Sequence, residues 1–167
     1  DGNVAVGFEA LKTEDAHGLN VAVGYQALEN LNAGFDAYNV AVGSNAGGAM
    51  TTGVRNTILG GNAGDALTTG SNNVALGTFA LSSDDLGTEN TAVGYNTLSA
   101  LNFATATTSY NTAVGARAGE AVTTGIRNTL LGGLAGDALQ DADDNVAVGQ
   151  QSLSSDTLGS GAVAIGH

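Results

Sequence analysis

The sequence predicts an all-β chain, a β-solenoid or β-roll of about ten 17-residue coils, and three observations carry that prediction. The first is a five-residue word, Asn-(Val/Thr)-Ala-(Val/Leu/Ile)-Gly. It opens at Asn3, Asn20, Asn39, Asn56, Asn73, Asn90, Asn111, Asn128 and Asn145, with a degenerate copy at Ala162. Its steps are 17 residues, apart from one of 19 and one of 21. A fixed period of this length marks a chain that stacks one small unit on the next, each touching mainly its neighbours. The second is composition: 26 Gly, no Pro, 43% apolar and 12% charged residues. Disorder would need less apolar content and more charge, and collagen would need Pro and Gly at every third residue. The third is that slots 2 and 4 of each word hold β-branched or large aliphatic residues, which suit strands. The whole chain, 1–167, reads as a single repeat domain with no linker.

Numbering each unit from its Asn, slots 2 and 4 face one way and slot 3 the other, because strand side chains alternate. Slot 3 is Ala except at Ile58 and Leu130. Both faces are apolar, and such a strand normally has both covered. One face lines the coil, and a sister chain is the simplest cover for the other. Ala at slot 3 lets backbones approach closely, which points to parallel self-association there. Slot 5 is Gly in all ten copies, from Gly7 to Gly166, as a corner without room for a Cβ or with positive φ requires. The Asn at slot 1 suits a turn, and stacked copies can form a side-chain ladder.

A second apolar pair stands at slots 8 and 9, as in Ala27-Leu28, or as Ala-Gly in Ala63-Gly64. An anchor follows at slot 12 (Leu31, Met50, Leu67, Leu101, Val122, Leu139) or at slot 14 (Ala16, Leu86, Leu158). Each unit therefore predicts one firm strand, one weaker strand or helical turn, and two corners. Seventeen extended residues span at most about 56 Å, so the core is thin. Ten coils at about 4.8 Å make a rod near 48 Å long. Residues 39–89 match 111–161, and the longer units 20–38 and 90–110 recur at one place, so a four-coil block is duplicated.

Net charge is −12, with Lys12, Arg55, Arg117 and Arg127 as the cations. That opposes a broad grip on nucleic acid or anionic lipid and favours mutual repulsion between particles. No run approaches the roughly 20 apolar residues of a membrane helix, so no membrane insertion is expected. The absence of Cys removes disulfides and thiolate metal sites. The chain starts without Met and ends within the repeat, and reads as a processed chain or a piece of a longer one.

Chemistry finds little footing. His17 lies in a polar segment and His167 is terminal, so no nucleophile–base–orienter set is apparent. GGNAGDAL (60–67) and GGLAGDAL (132–139) lack the Lys-Ser/Thr of a phosphate loop. No catalytic or cofactor-binding residue is assigned. Calcium is a candidate at Glu14-Asp15, at Asp84-Asp85 with Glu89, and at Asp141-Asp143-Asp144, because hard cations want converging oxygens. None matches a known calcium loop, and solvated turns that discourage lateral sticking are the favoured reading. Arg55 and Arg127 share a slot, as do Asp65 and Asp137, which predicts a recurrent Arg–Asp pair. The longer units carry Phe35, Asp36 and Tyr38, and Phe103 and Tyr110, and insertions in repeats map to the binding face. These five are the recognition candidates, with packing into an apolar gap as the alternative.

NVAVGYQAL at 20–28 and NTAVGYNTL at 90–98 resemble the NTAVGYxAL repeats of tailed-phage tail-fibre and tail-spike proteins. The shorter VAVG or VAIG core is similar to the head repeats of trimeric autotransporter adhesins. The resemblance implies a parallel homotrimer, located in a virion tail fibre or at a cell surface, that forms a non-enzymatic shaft or head. Its partners would be itself and a cell-surface glycan or protein receptor. The unit here is longer than the adhesin head unit, and no coiled-coil stalk, membrane anchor or C-terminal chaperone domain is visible. A self-polymerising extracellular filament is the second reading. Ice binding by Thr51-Thr52, Thr68-Thr69 and Thr123-Thr124 is a third, weakened because the array skips most coils.

Overall fold

The computed structural model describes residues 2–14 and 17–167. Its strands are β1 (Val4–Val6), β2 (Val21–Val23), β3 (Val40–Val42), β4 (Thr57–Leu59), β5 (Val74–Leu76), β6 (Gly87–Thr88), β7 (Thr91–Val93), β8 (Thr107–Thr108), β9 (Thr112–Val114), β10 (Thr129–Leu131), β11 (Val146–Val148) and β12 (Val163–Ile165). Ten of them form one parallel sheet in chain order, with β6 and β8 paired beside it. Every repeat-strand pair keeps slot on slot, such as Val21 with Val40 and Ala22 with Ala41, including across the 19- and 21-residue units. The fold is thus an all-β parallel β-solenoid of about nine turns, with no helix among the described residues.

The coil closes differently from the expected weaker strand or helical turn. Slots 7 and 9 and the residue just before the next Asn (slot 17 in the 17-residue units, and the same label for Tyr38 and Tyr110 in the longer ones) have positive φ in each of the nine complete coils, and twenty-two of these positions are not Gly. Leu28 sits at φ 50°, Phe79 at 59° and Arg127 at 57°. A left-handed residue costs roughly 1–2 kcal/mol, so something must hold it there. What holds it is hydrogen bonding between coils. Gln26 N–H at slot 7 donates back to Phe8 C=O at 2.8 Å, and Leu28 N–H at slot 9 donates forward to Ala46 C=O at 3.0 Å. Alternation of φ aims successive peptides down and then up the axis, so turns bond to both neighbours as strands do.

A buried Asn column runs the length of the coil. Each Oδ1 accepts the N–H of the next Asn, as in Asn56 N–H to Asn39 Oδ1 at 2.9 Å and Asn73 N–H to Asn56 Oδ1 at 2.9 Å. The Nδ2 of six of them, Asn3, Asn39, Asn56, Asn73, Asn111 and Asn128, closes its own coil on the carbonyl fourteen residues on, as in Asn56 to Gly70 at 2.9 Å. Ala162 N–H ends the column on Asn145 Oδ1.

Slot 3 faces inward, not toward a partner. Ala22, Ala41, Ile58, Ala75, Ala92, Ala113, Leu130 and Ala147 are fully buried with the slot 8, 9 and 12 side chains. The expected close approach at slot 3 is therefore internal, and slots 2 and 4 are left outside. The Ala-Gly coils now have a packing reason. Ile58 Cδ1 lies 3.1 Å from where a Cβ would stand on Gly47, and 3.2 Å from one on Gly64. Leu130 fills the same space for Gly119 and Gly136. A large slot 3 thus replaces the slot 9 Leu in two successive coils. Ile58→Ala should cost about 2–5 kcal/mol in urea melts. Adding Gly64→Leu should recover part of that loss, because Leu adopts this φ at Leu28 and Leu81. Gly64→Leu alone should destabilise through overpacking.

Candidate functional site

The exposed side of the ten-stranded sheet is built by slots 2 and 4. None of these side chains is buried; Val6 is 57% exposed, Leu59 51% and Val114 39%. The face carries only Val, Thr, Leu and Ile. Equivalent residues stack at the strand spacing, so slot 4 forms a continuous aliphatic column along the axis and slot 2 a column of Val interrupted by Thr57, Thr91, Thr112 and Thr129.

Aromatic rings flank both columns. Slot 6, just past the Gly corner, holds Phe8, Tyr25 and Tyr95; slot 17, just before the Asn, holds Tyr38 and Tyr110. All five are more than half exposed. Phe8 stacks on Tyr25 with ring centroids 5.6 Å apart, and Phe79 meets Tyr95 edge-on at 6.4 Å. Phe8, Tyr25, Phe79 and Tyr95 were not singled out from the sequence, although recurrence directly after Gly was a usable signal for three of them.

The five recognition candidates divide. Phe35, Tyr38 and Tyr110 are exposed, whereas Phe103 is buried in the core. Asp36 lies on the surface, and its carboxylate accepts Gly18 N–H at 3.2 Å. The 19-residue unit presents Phe35, while the 21-residue unit turns Phe103 inward and adds the β6–β8 pair. Tyr38 and Tyr110 belong to the sheet margin rather than to a separate loop cluster.

The expected Arg–Asp pairing is corrected. Arg127 bonds Asp144 through two nitrogens at 2.6 and 2.8 Å, with Asp143 at 3.9 Å. Both acids lie one coil later, and Asp144 stands in the same slot as Arg127; Asp137 sits far round the coil at slot 10. Asn72 occupies the corresponding place above Arg55, which makes no ion pair among the described residues. The Asp144 carboxyl is held below its usual range by Arg127, while burial pushes Asp65 up.

Of the calcium candidates, Asp15 lies outside the described residues, as does the slot 14 anchor Ala16. Asp141 accepts the Thr124 hydroxyl at 2.7 Å, and Asp143 accepts Ile126 N–H at 2.9 Å. Among the described residues no three His, Cys, Asp or Glu side chains gather as metal ligands. The Thr-Thr-Gly hydroxyls are partly engaged within the coil, with Thr51 and Thr68 donating to carbonyls one coil on. A concavity at the C-terminal end, lined by Leu153, Asp156 and Val163, lies under the partial tenth coil.

An acid replaces the slot 12 anchor in every fourth coil, at Glu14, Asp84 and Asp156. Each carboxylate accepts the N–H three residues on, from His17, Gly87 and Gly159. Asp84 is fully buried, and that burial pushes its pKa up to about 6. The folded chain therefore binds a proton more readily than the unfolded chain, whose Asp titrates near 3.9. Asp84 thus favours folding most at low pH, and its contribution falls as pH rises through about 6. Asp84→Asn should flatten that slope between pH 4 and 6 in thermal melts. It should also raise stability above pH 6 by about 1–3 kcal/mol.

No protein-family model matches this chain, and neither curated proteins nor solved structures provide a match.

Proposed function

We propose that this chain is a non-enzymatic structural shaft or receptor-binding segment of a phage tail fibre or surface adhesin, working outside the cell as a homo-oligomer, with a trimer as the expected form. The observation that carries the reading is the uncovered apolar sheet face, ten strands long, on a coil held rigid by the Asn column. A contiguous apolar face of this size marks a protein–protein contact, and a further copy of the same rod is the partner whose length and period match it. Phe35 and Asp36, exposed and outside the strands in the 19-residue unit, remain the candidates for a glycan or protein receptor.

Light scattering tests the reading. A trimer supports the fibre, whereas a monomer at micromolar concentration would sink it. Val23→Lys with Val42→Lys, both outside the core, should lower the mass to one chain and leave the circular dichroism unchanged. The filament reading draws on the end strands β1 and β12, each with a single neighbour. An open-ended mass distribution that grows with concentration would favour it. Loss of assembly with a chelator would assign calcium a role.

A further inference from the structure

We infer that residues 102–109, the far arc of the 21-residue unit, form a strap that closes over the buried Asp84 of the coil before and opens more often as pH rises. The strap belongs to one seam of a single chain and does not depend on the self-association proposed above. It arises from a break in the Asn column. Asn90 opens the 21-residue unit, where the residue fourteen places on is Ala104, exposed on the surface. Its Nδ2 turns back instead to Asp84 Oδ2 at 3.5 Å. Its Oδ1 accepts the Ser109 hydroxyl at 2.7 Å and the Asn111 N–H at 3.3 Å. The other N–H bonds of this kind measure 2.9–3.1 Å. Elsewhere the column's Nδ2 groups bond amide carbonyls; here one meets an ionisable side chain.

Asp84 holds the strap from beneath. Its carboxylate accepts Gly87 N–H at 2.9 Å, which fixes the start of β6, and the amides of Leu86 and Phe103 also point at it. β6 in turn pairs with β8, and Ser109 N–H donates to Thr88 C=O at 3.1 Å. The Phe103 ring is buried, whereas residues 104–106 are exposed. Among the described residues, 104–106 make no backbone hydrogen bond to a neighbouring coil. Few bonds to the body and one buried ring are the marks of a segment that opens locally. The same arc of the next coil, 119–127, has no acid beneath it, because Leu101 fills slot 12 there.

Charge sets the direction. The coils on either side place Leu67 and Leu101 in the slot of Asp84. Among the described residues, Asp85 is the one titratable group that acts on it, and its negative charge opposes a second one. Burial outweighs the amides that favour the anion, so the carboxyl of the closed strap is pushed up to about 6. An open strap lets water reach it, and a solvated Asp titrates near 3.9. The closed form therefore holds the proton more tightly. Closure is favoured most below about pH 4 and loses that advantage as pH rises through about 6. Opening also uncovers Phe103, so the two longer units differ in kind. Phe35 is presented at any pH, and Phe103 only while the strap is open.

Hydrogen exchange of the full chain, followed by mass spectrometry and corrected for the intrinsic pH dependence of exchange, tests the strap. Between about pH 5 and pH 8, protection over 87–88 and 107–109 should fall about tenfold, the ratio for a carboxyl that titrates near 6 closed and near 3.9 open. Residues 119–127 should change little over the same range. Asp84→Asn should keep the protection of 107–109 level across it. A second readout uses the absence of Cys. Phe103→Cys should react with a thiol reagent about tenfold faster at the higher pH, after correction for thiolate content. Phe35→Cys should react quickly at both, and adding Asp84→Asn to Phe103→Cys should remove the pH dependence. Equal pH dependence in 107–109 and 119–127, none in the unmodified chain, or a dependence that survives Asp84→Asn overturns the strap.

Discussion

Gly43→Ala should destabilise the coil by more than about 4 kcal/mol, or prevent folding altogether. Gly43 has φ +141°, and a Cβ there would lie 2.4 Å from the carbonyl oxygen of Gly60 and 2.6 Å from its carbon. The obstacle is backbone of the next coil, not the end of a flexible side chain, so the two coils must part for the methyl to fit. The same contact recurs at Gly24 and Gly77, which is why the column admits no other residue. Gly61→Ala is the control. That position, one residue from the column, has nothing within 4 Å of an added Cβ, and substitution should stay within about 0.5 kcal/mol of wild type. Urea melts of the two variants compare them directly. Coincident transitions for Gly43→Ala and wild type would mean that the coils do not stack as described.

Asn73→Ala should cost about 3–5 kcal/mol, the second large effect. The side chain bonds the Gly87 carbonyl through Nδ2 at 2.9 Å and accepts the Asn90 N–H on Oδ1 at 2.9 Å. Removing it strands two backbone groups beside a buried column, at about 1–3 kcal/mol each. It also opens a small void in a close-packed wall. Asn73→Asp keeps the shape and separates the terms. It sets a carboxylate oxygen against the Gly87 carbonyl and buries a charge, so it should be worse than Ala at neutral pH. It should recover part of its stability in acid, where a protonated carboxyl can donate. Asn145→Ala should be milder, because its Nδ2 donates to Asn128 Oδ1 and not to a carbonyl of its own coil, so its loss strands only the Ala162 N–H at the end of the column. Equal losses at Asn73 and Asn145 would show that the column is not the spine.

The period, the strand, the Gly corner and the Asn column were legible because identical residues do identical work in each coil. Which way the strand faces was not. Slots 2, 3 and 4 are all apolar, and alternation alone is symmetrical between the two possibilities. The decision comes from size: Ala at slot 3 fits a coil interior that Leu28 and Leu31 already fill, whereas two columns of Val and Leu would not. The left-handed residues were hidden for another reason. Leu11, Phe79 and Arg117 have no local preference for positive φ; hydrogen bonds from the coils above and below impose it. Arg127 pairs with Asp144 because equivalent slots lie directly over one another, a rule the spacing already contained. Phe103 sits in the slot 14 place of a longer unit, where its ring turns inward; length alone could not separate that from the exposed Phe35.

The direction of the hydrogen bonds has a mechanical consequence. Strand ladders, turn ladders and the Asn column all run along the axis, so tension applied between the two ends loads the coil-to-coil seams in series rather than in shear. Such a rod opens at one seam at a time, and each freed 17-residue turn pays out up to about 56 Å of slack. Single chains would therefore yield early under axial pull but resist bending and compression. Lateral bundling with sister rods, which spans many seams at once, is the route by which this architecture gains tensile strength.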